Sequence, residues 1–469
     1  IGMGACMPVV LRMKMRFKVR DKMTVLLVLL GLLSYLNSTT LDPMIFVFSS
    51  LCIGFLKMMV TIELFLPLMA MICNRGIFYG AFYTFVLVLN QISGYYAAQV
   101  SINYNWQHFY VIMAVACFVL ALVHWVFMHH KYFALKVPLH YIDWLSILLF
   151  VSTFMFSAYV FSFGKQQDWL NSKNIINASI AAFLSFALLA IRQLTLKRPY
   201  LSFKIFTKNN VQHGLFMLFM LGMFLGTTTI QNSFAVGVLG YDQLTNAKLN
   251  LLMIPGLIVA GVIAIFWFKK EIPLKMFIFS GFSAMVGYAI VMYFSMVLEF
   301  NYESWYLPMF LKGYGMGSLF ISVWFYTLDK LEMDDMLAAI GLVLVWRTFL
   351  AVGVFSALYS WFLYHFQVVA IGDLAVYMDG MTVTSQNAAA LKAIQLNAII
   401  VAGKKIFGYI ILVGICVLVY VFTHHFGKER FGYVRFVKIL SGKSALARKR
   451  LRERKRLLHE IKDAAGPAL

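Results

Sequence analysis

The segment from Met44 to Ile72 reads MIFVFSSLCIGFLKMMVTIELFLPLMAMI, and the rest of the chain can be interpreted outward from it. At about 29 residues it is long enough to cross a bilayer with some tilt. Lys57 and Glu63 interrupt its apolar run. Each charge at such a depth costs at least about 2.5–3.5 kcal/mol on insertion scales, so each needs a partner on another helix or a water-filled cavity.

Lys57 and Glu63 do not neutralise each other within the helix. Their spacing places them roughly 240° apart around the helix axis, whereas local ion pairs form between residues three or four positions apart. Two interpretations follow. The charges line the cavity of a transporter, or they belong to a structural ion pair between helices.

The composition identifies a membrane protein. Apolar residues make up 62% of the chain and charged residues 13%, and the mean hydropathy is +0.80, far outside the range of soluble proteins. The net charge of +21 comes from residues between apolar runs and in the tail, which is typical of membrane topology rather than of nucleic-acid binding. The cysteines follow no metal or redox spacing. We therefore expect neither a metal site nor a cofactor.

The apolar runs predict an all-α polytopic membrane protein. Ile1–Leu11 is too short to span and looks like the end of a partial helix. About twelve complete spans follow it, at 22–36, 44–72, 77–99, 107–128, 143–164, 174–192, 211–232, 247–268, 275–298, 305–328, 336–365 and 403–425. Strands of a membrane β-barrel would alternate at every second residue, and these runs do not.

The connections between the spans predict the orientation. One alternating set is basic, from 12–22 through 269–275 to the tail after Lys428, whereas the other contains few Lys or Arg. The basic set is expected in the cytoplasm, and the C-terminus with it. The partial helix would then begin outside, and one further helix before it would make fourteen.

A faint internal repeat predicts two related halves. An offset of 255 residues aligns Lys57 with Lys312 and Trp106 with Trp361, as two parallel halves would. We predict a truncated N-terminal half at 1–128, an inserted pair of helices at 129–210, a C-terminal half at 211–426 and a basic cytoplasmic tail at 427–469. Phe366–Ala402 is predicted to be an external loop.

In their order along the chain, several groups of residues resemble markers of the fourteen-helix drug:proton antiporter branch of the major facilitator superfamily. The basic segment Arg12–Lys22 resembles its charged signature between helices. The other groups are Asn74-Arg75-Gly76, Asn105-Trp106-Gln107-His108-Phe109, Asp143-Trp144, Tyr241-Asp242-Gln243-Leu244, Ile254-Pro255-Gly256 and Gly313-Tyr314-Gly315-Met316-Gly317. The family's first helix, which usually carries an Asp important for coupling, is not matched here.

The resemblance implies a bundle of two halves around a cavity lined by the spans 44–72, 211–232 and 305–328. Glu63 is the only acid well inside an apolar span and is the predicted proton carrier. The predicted substrate cavity contains Lys57, Lys312, Thr228, Gln231, Asn232 and Tyr314. The predicted conformational basic loop contains Arg12, Arg16, Arg20 and Asp21. Lys57 and Lys312 would be either counter-charges of Glu63 or an anchor for substrate.

These expectations lead to a proton-coupled exporter of amphipathic small molecules in a bacterial inner membrane. Protons, lipids and a small-molecule substrate would be its partners, with a periplasmic adaptor if it joins an efflux assembly. The alternative is a facilitator or importer of organic anions, which would use the two membrane lysines. A membrane enzyme is the remote third class, because the pairs His129-His130 and His424-His425 have no acid in a catalytic spacing.

Overall fold

The structure, a computed structural model, describes residues 1–71, 75–128, 142–196, 200, 203–270, 272–329, 331, 333–375, 385–424 and 426. Within this part of the chain the regular structure is helical and contains no strand. The predicted tail at 427–469 lies outside the described residues.

Sixteen α-helices follow one another within the described residues. The first eight are α1 Gly2–Arg16, α2 Val19–Thr39, α3 Pro43–Met71, α4 Arg75–Asn103, α5 Trp106–Phe127, α6 Trp144–Phe163, α7 Lys173–Thr195 and α8 Asn209–Gly226. The others are α9 Thr228–Gly237, α10 Gln243–Leu251, α11 Ile254–Lys269, α12 Leu274–Ser295, α13 Tyr306–Leu328, α14 Met333–Val345, α15 Val354–Ala375 and α16 Ser385–Thr423. A π-helical segment, Trp346–Gly353, joins α14 to α15.

Ten helical segments of the described chain are long and apolar enough to cross a membrane. The protein is therefore an integral membrane protein with many helical spans. Two predicted spans, 22–36 and 305–328, correspond to α2 and α13, which fall short of that measure. The first turns of α2 carry Arg20, Asp21 and Lys22. In α13 the apolar run contains Lys312 and a cluster of glycines.

The prediction that the basic segment 12–22 forms a loop is wrong, because most of this segment is helical. Helix α1 continues to Arg16 and α2 begins at Val19, so only Phe17 and Lys18 separate them. The basic residues therefore extend the ends of two helices, because Lys and Arg have high helix propensity. The predicted partial helix at 1–11 is correspondingly longer, Gly2–Arg16.

The predicted external loop Phe366–Ala402 is also wrong over most of its length. Helix α15 continues to Ala375, and α16 begins at Ser385 and runs for 39 residues to Thr423. At 1.5 Å per residue α16 is about 58 Å long, nearly twice the hydrocarbon thickness of a bilayer. Helix α16 is therefore longer than a single membrane span requires.

The two ends of the bundle can be distinguished by contacts between helices. At the basic end, α1 terminates, α2 begins and α16 terminates, and there Lys275 at the start of α12 donates a hydrogen bond to the Phe422 carbonyl. At the opposite end, Gly403 in α16 lies against Met296 just after α12. All functional residues below are located relative to these two ends.

Two seams join helices of the first 128 residues to helices beyond residue 210. Helix α1 packs on α14, where Gly4 and Gly341 allow the two backbones to approach closely. Helix α4 packs on α10 and α11, with Gly261 against Thr84. Helices α6 and α7 pack mainly on each other. Division into two halves with an inserted pair remains a prediction.

Candidate functional site

Glu63 forms a buried ion pair with Lys22. The Lys22 Nζ donates to Glu63 Oε2 at 2.7 Å, and only 7% and 5% of the two side chains are exposed. Lys22 lies in the first turns of α2 and Glu63 lies eight residues before the end of α3. The pair therefore fixes α2 against α3 close to the basic end, about 12 Å from the end of α3.

Three further polar residues surround this pair. Lys14, near the end of α1, is only 6% exposed, and the charges of both Glu63 and Lys22 act on it. The charge of Glu63 also acts on His124 in α5, whose Nδ1 lies 3.4 Å from Thr24 Oγ1. We refer to Lys14, Lys22, Thr24, Glu63 and His124 as the Glu63 cluster.

Thr24 connects His124 to the backbone of α2. The Thr24 hydroxyl lies 3.0 Å from the Arg20 carbonyl, to which it can donate, and the same oxygen lies within hydrogen-bond distance of the His124 ring. The Glu63 cluster thus unites four helices and two kinds of proton-exchanging group.

The partner of Glu63 differs from the sequence-based alternatives. Neither Lys57 nor Lys312 pairs with Glu63; Lys22, which the sequence placed in a loop, does. Lys57 lies midway along α3 with an exposed side chain, so the structure does not unite it with the other candidate residues. The only feature of the sequence that singled out Lys22 as a functional residue was its position in the basic segment, next to Asp21.

Lys312 is the centre of a second buried network. Its side chain is 1% exposed, and its Nζ donates to Thr228 Oγ1 at 2.9 Å and to Gln231 Oε1 at 3.1 Å. The Tyr288 ring lies 5.1 Å from the ammonium. Among the described residues no carboxylate forms an ion pair with Lys312. This residue lies two turns into α13, toward the opposite end from Glu63.

A break between α8 and α9 supplies the acceptors for Lys312. The hydroxyls of Thr227 and Thr228 donate back to the Phe224 and Leu225 carbonyls, a pattern that competes with helical hydrogen bonding. The helix is interrupted at Thr227, and its continuation presents Thr228 and Gln231 to Lys312. Nε2 of Gln231 is buried with no hydrogen-bond partner in the described structure.

Two residues of the predicted cavity do not join this network. The Tyr314 hydroxyl lies 3.1 Å from Ser280 Oγ, toward α12. Asn232 is exposed and accepts a hydrogen bond from Asn246. Of the predicted cavity, the structure therefore unites only Lys312, Thr228 and Gln231.

The predicted conformational residues lie at the facing ends of α1 and α2. Arg16 ends α1 and is exposed. In α2, Arg20 contacts Asp21 at 3.4 Å and lies 6.0 Å from the Trp125 ring. The side chain of Arg12 lies outside the described residues. Arg347, in the π-helical segment, lies 4.2 Å over the Phe320 ring.

One further cluster was missed by the sequence reading. The rings of His213 and His424 are 4.0 Å apart, and the Tyr420 hydroxyl lies 2.5 Å from His213 Nδ1. The Tyr326 hydroxyl lies 3.4 Å from His424 Nε2. These residues come from α8, α13, the last turn of α16 and the residue just after α16, so no local spacing could have indicated the cluster.

The described residues were also compared with the donor sets of metal sites. Within the described ranges, no group of three or more His, Cys, Asp or Glu side chains could hold a metal ion. Comparison with known proteins adds no identity, because no family model and no curated protein matches the chain.

Proposed function

We propose that this protein is a secondary transporter that exchanges protons for an amphipathic small molecule by alternating access. It would act in the plasma membrane with its C-terminus in the cytoplasm, and it would require no cofactor and catalyse no covalent reaction. The observation that carries the proposal is the Lys22–Glu63 ion pair, which is buried between membrane helices.

A proton on Glu63 would change the energetics of this pair. The protonated carboxyl no longer attracts the Lys22 ammonium, and the positive charges of Lys14 and Lys22 then repel each other with less compensation. A conformation that exposes these lysines to water would become more favourable. Protons can drive transport only through such a difference in affinity between two conformations.

The positions of the seams support a movement of two bodies. Helix α1 carries Lys14 and also packs on α14, so it connects the Glu63 cluster to the helices beyond residue 210. The α4–α11 seam provides a second contact of the same kind. Rotation about these seams would open one end of the bundle as the other closes.

Proton flux in proteoliposomes tests this function. The full chain is reconstituted, a fluorescent lipophilic cation is added as the substrate probe, and proton movement is followed with an enclosed pH dye. We expect Glu63→Gln to abolish probe-dependent proton movement and Glu63→Asp to keep part of it. Glu303→Gln changes an exposed carboxylate outside the helical spans and serves as the matched control. Unchanged coupling in Glu63→Gln would rule out Glu63 as the carrier.

A carrier of organic anions is the second candidate, and the network around Lys312 favours it. A buried ammonium with only neutral hydrogen-bond partners leaves a positive charge for an anion to neutralise. Uptake of a radiolabelled aromatic carboxylate distinguishes the two functions. If anions are carried, Lys312→Gln should lower this uptake by about tenfold or more. If cations are exported, the carboxylate should not be taken up at all.

A further inference from the structure

A groove runs between α12 and α16 at the opposite end of the bundle. Its volume is about 580 Å³, and Tyr293, Lys404, Lys405, Gly408 and Leu412 are among the residues that line it. Both lysines lie within the apolar part of α16. No role in the proposed transport involves them.

The charge of this groove is uncompensated within the described chain. Neither Lys404 nor Lys405 forms an ion pair with a described carboxylate. The nearest acids along the neighbouring connection, Glu299 and Glu303, are exposed and make no ion pair with either lysine. Connections at this end otherwise contain few Lys or Arg. Two adjacent ammonium groups here favour a negatively charged ligand.

The groove is open because of a glycine. Gly408 lies one turn after Lys404, and the nearest atom to a Cβ placed there is a ring carbon of Tyr293 at 3.7 Å. That distance is an ordinary contact, so a side chain could be accommodated at this position. A glycine here therefore provides space beside the lysines and is not required by tight helix packing.

The surroundings of the groove are apolar. Leu412 within it and Phe294 beside it are 63% and 71% exposed. A second groove of about 400 Å³ lies on the other side of Tyr409, which lines both, and is bounded by Phe362 and Phe366. Lys405 Nζ lies 6.0 Å from the centre of the Phe366 ring. The cationic groups thus border two apolar channels on the membrane-facing surface.

We propose that this groove binds an anionic phospholipid. Its phosphate lies against Lys404 and Lys405, and its acyl chains lie along the apolar surfaces on either side of Tyr409. Membrane-embedded basic pockets between helices are suited to such headgroups. A soluble anion would gain the same charge contact but would leave the apolar channels without an occupant.

Lipid binding to the purified full chain tests the proposal. Native mass spectrometry in detergent compares phosphatidylglycerol with phosphatidylcholine, which has no net charge. We expect preferential binding of phosphatidylglycerol, weakened about tenfold or more in the Lys404→Gln/Lys405→Gln double variant. Lys392→Gln is the matched control, because it removes an exposed charge from the same helix outside the groove. Equal binding of the two lipids would overturn the proposal, as would unchanged binding by the double variant.

A second variant distinguishes the contribution of the groove's open space from that of its two lysines. Gly408→Leu keeps both lysines and fills the space beside them, so it should weaken phosphatidylglycerol binding as well. Retained binding would show that the lipid lies elsewhere. Glycerophosphoglycerol has the same phosphodiester headgroup and the same single negative charge without acyl chains, and it should compete poorly. Strong competition by it would identify a soluble anion as the ligand and refute the lipid assignment.

Discussion

Glu63 illustrates which part of a buried site can be predicted from sequence. Its position within a long apolar run showed that the carboxylate must be neutralised by another element. The partner, Lys22, could not be identified, because it depends on how α2 packs on α3 over 41 positions of sequence separation. The same limit applies to Lys312, whose burial was expected but whose acceptors depend on the break at Thr227.

Removing one partner of the Glu63 ion pair should destabilise the protein. Glu63→Gln leaves Lys22 buried without a counter-charge, and breaking a pair of this kind costs about 3–5 kcal/mol. Unfolding by denaturant in detergent micelles measures the loss. The double variant Lys22→Met/Glu63→Met removes both charges and should be much closer to the native stability. Equal loss in the single and double variants would contradict a direct coupling between the two residues.

The Lys312 network should show a measurable coupling. Gln231→Met removes one of the two acceptors of the ammonium, and Lys312→Met leaves Gln231 Oε1 without its donor. Each single change leaves a buried polar group unsatisfied, at about 1–3 kcal/mol. The double change removes both groups, so a double-mutant cycle should give a coupling of about 0.5–3 kcal/mol. Strict additivity of the two changes would show that they do not interact.

At the scale of helices, α6 and α7 are joined by a polar clasp at the start of α6. Asp143 caps α6 through the Ser146 amide and receives hydrogen bonds from Arg192 of α7 at 2.9 to 3.2 Å. Gln193 donates to Ser146 Oγ at 2.8 Å, which completes the clasp. The sequence correctly placed the start of this helix at Asp143-Trp144. The hydrogen bonds between α6 and α7 could not be predicted from the sequence, because they depend on how the two helices pack.

Acid should loosen this clasp. Burial raises the pKa of the Asp143 carboxyl, but hydrogen bonds from Arg192 and Ser146 outweigh burial and bring the pKa below its ordinary value. The stabilisation is therefore complete above the unfolded pKa of about 3.9 and is lost as the pH falls through the lower folded value. Protection of the α6 and α7 amides from hydrogen exchange, measured relative to the intrinsic exchange rate at each pH, should fall in that range.

Asp143→Asn isolates the contribution of the clasp. It should accelerate exchange in α6 and α7 already at neutral pH and abolish the acid response there. Asp242 also caps a helix, with the Thr245 amide as its donor, but no arginine of the described chain contacts it. Asp242→Asn should therefore leave α6 and α7 unaffected. Acid-dependent exchange that persists in Asp143→Asn would assign the response to another group.

Close packing of α11 on α13 depends on glycines at the contact between the two helices. A Cβ on Gly313 would lie 2.2 Å from the Met253 carbonyl oxygen, and one on Gly256 would lie 2.2 Å from that of Phe310. Since both obstacles are backbone atoms, neither can rotate away. The two helices can approach this closely only where both surfaces lack side chains.

Gly313→Ala should separate these helices at a cost of about 1–3 kcal/mol, as expected for overpacking. Gly94→Ala is the matched control, since a Cβ there meets no atom within 4 Å. That change should be neutral or stabilising by about 0.5–1 kcal/mol through helix propensity. Thermal unfolding in detergent compares the two variants. Equal effects would show that the α11–α13 contact is looser than the structure indicates.

At the scale of the whole molecule, hydropathy predicted a membrane protein with many helical spans, but about twelve complete spans were expected and ten helical segments of the described chain are long and apolar enough. The length of an apolar run indicates only the part of a helix that lies in the hydrocarbon core. The helix itself can continue beyond that run as far as helix propensity and packing allow. For this reason the sequence predicts a loop at 366–402, whereas α15 and α16 occupy most of that range. The hydropathy pattern could not test how the spans are arranged into halves. That arrangement depends on contacts between helices that are distant in sequence, such as α1 with α14.

The predicted orientation can be tested across one helical span, Gln243–Lys269. Lys248 in α10 and Lys270 just after α11 are both exposed, but they lie at opposite ends of the bundle. In a variant without native cysteines, Lys248→Cys should react with an impermeant maleimide added outside intact cells. Lys270→Cys should react only after the membrane is made permeable, because the basic end faces the cytoplasm. The reverse pattern would invert the molecule and place the Glu63 cluster at the external face, where a proton would reach it from the other compartment.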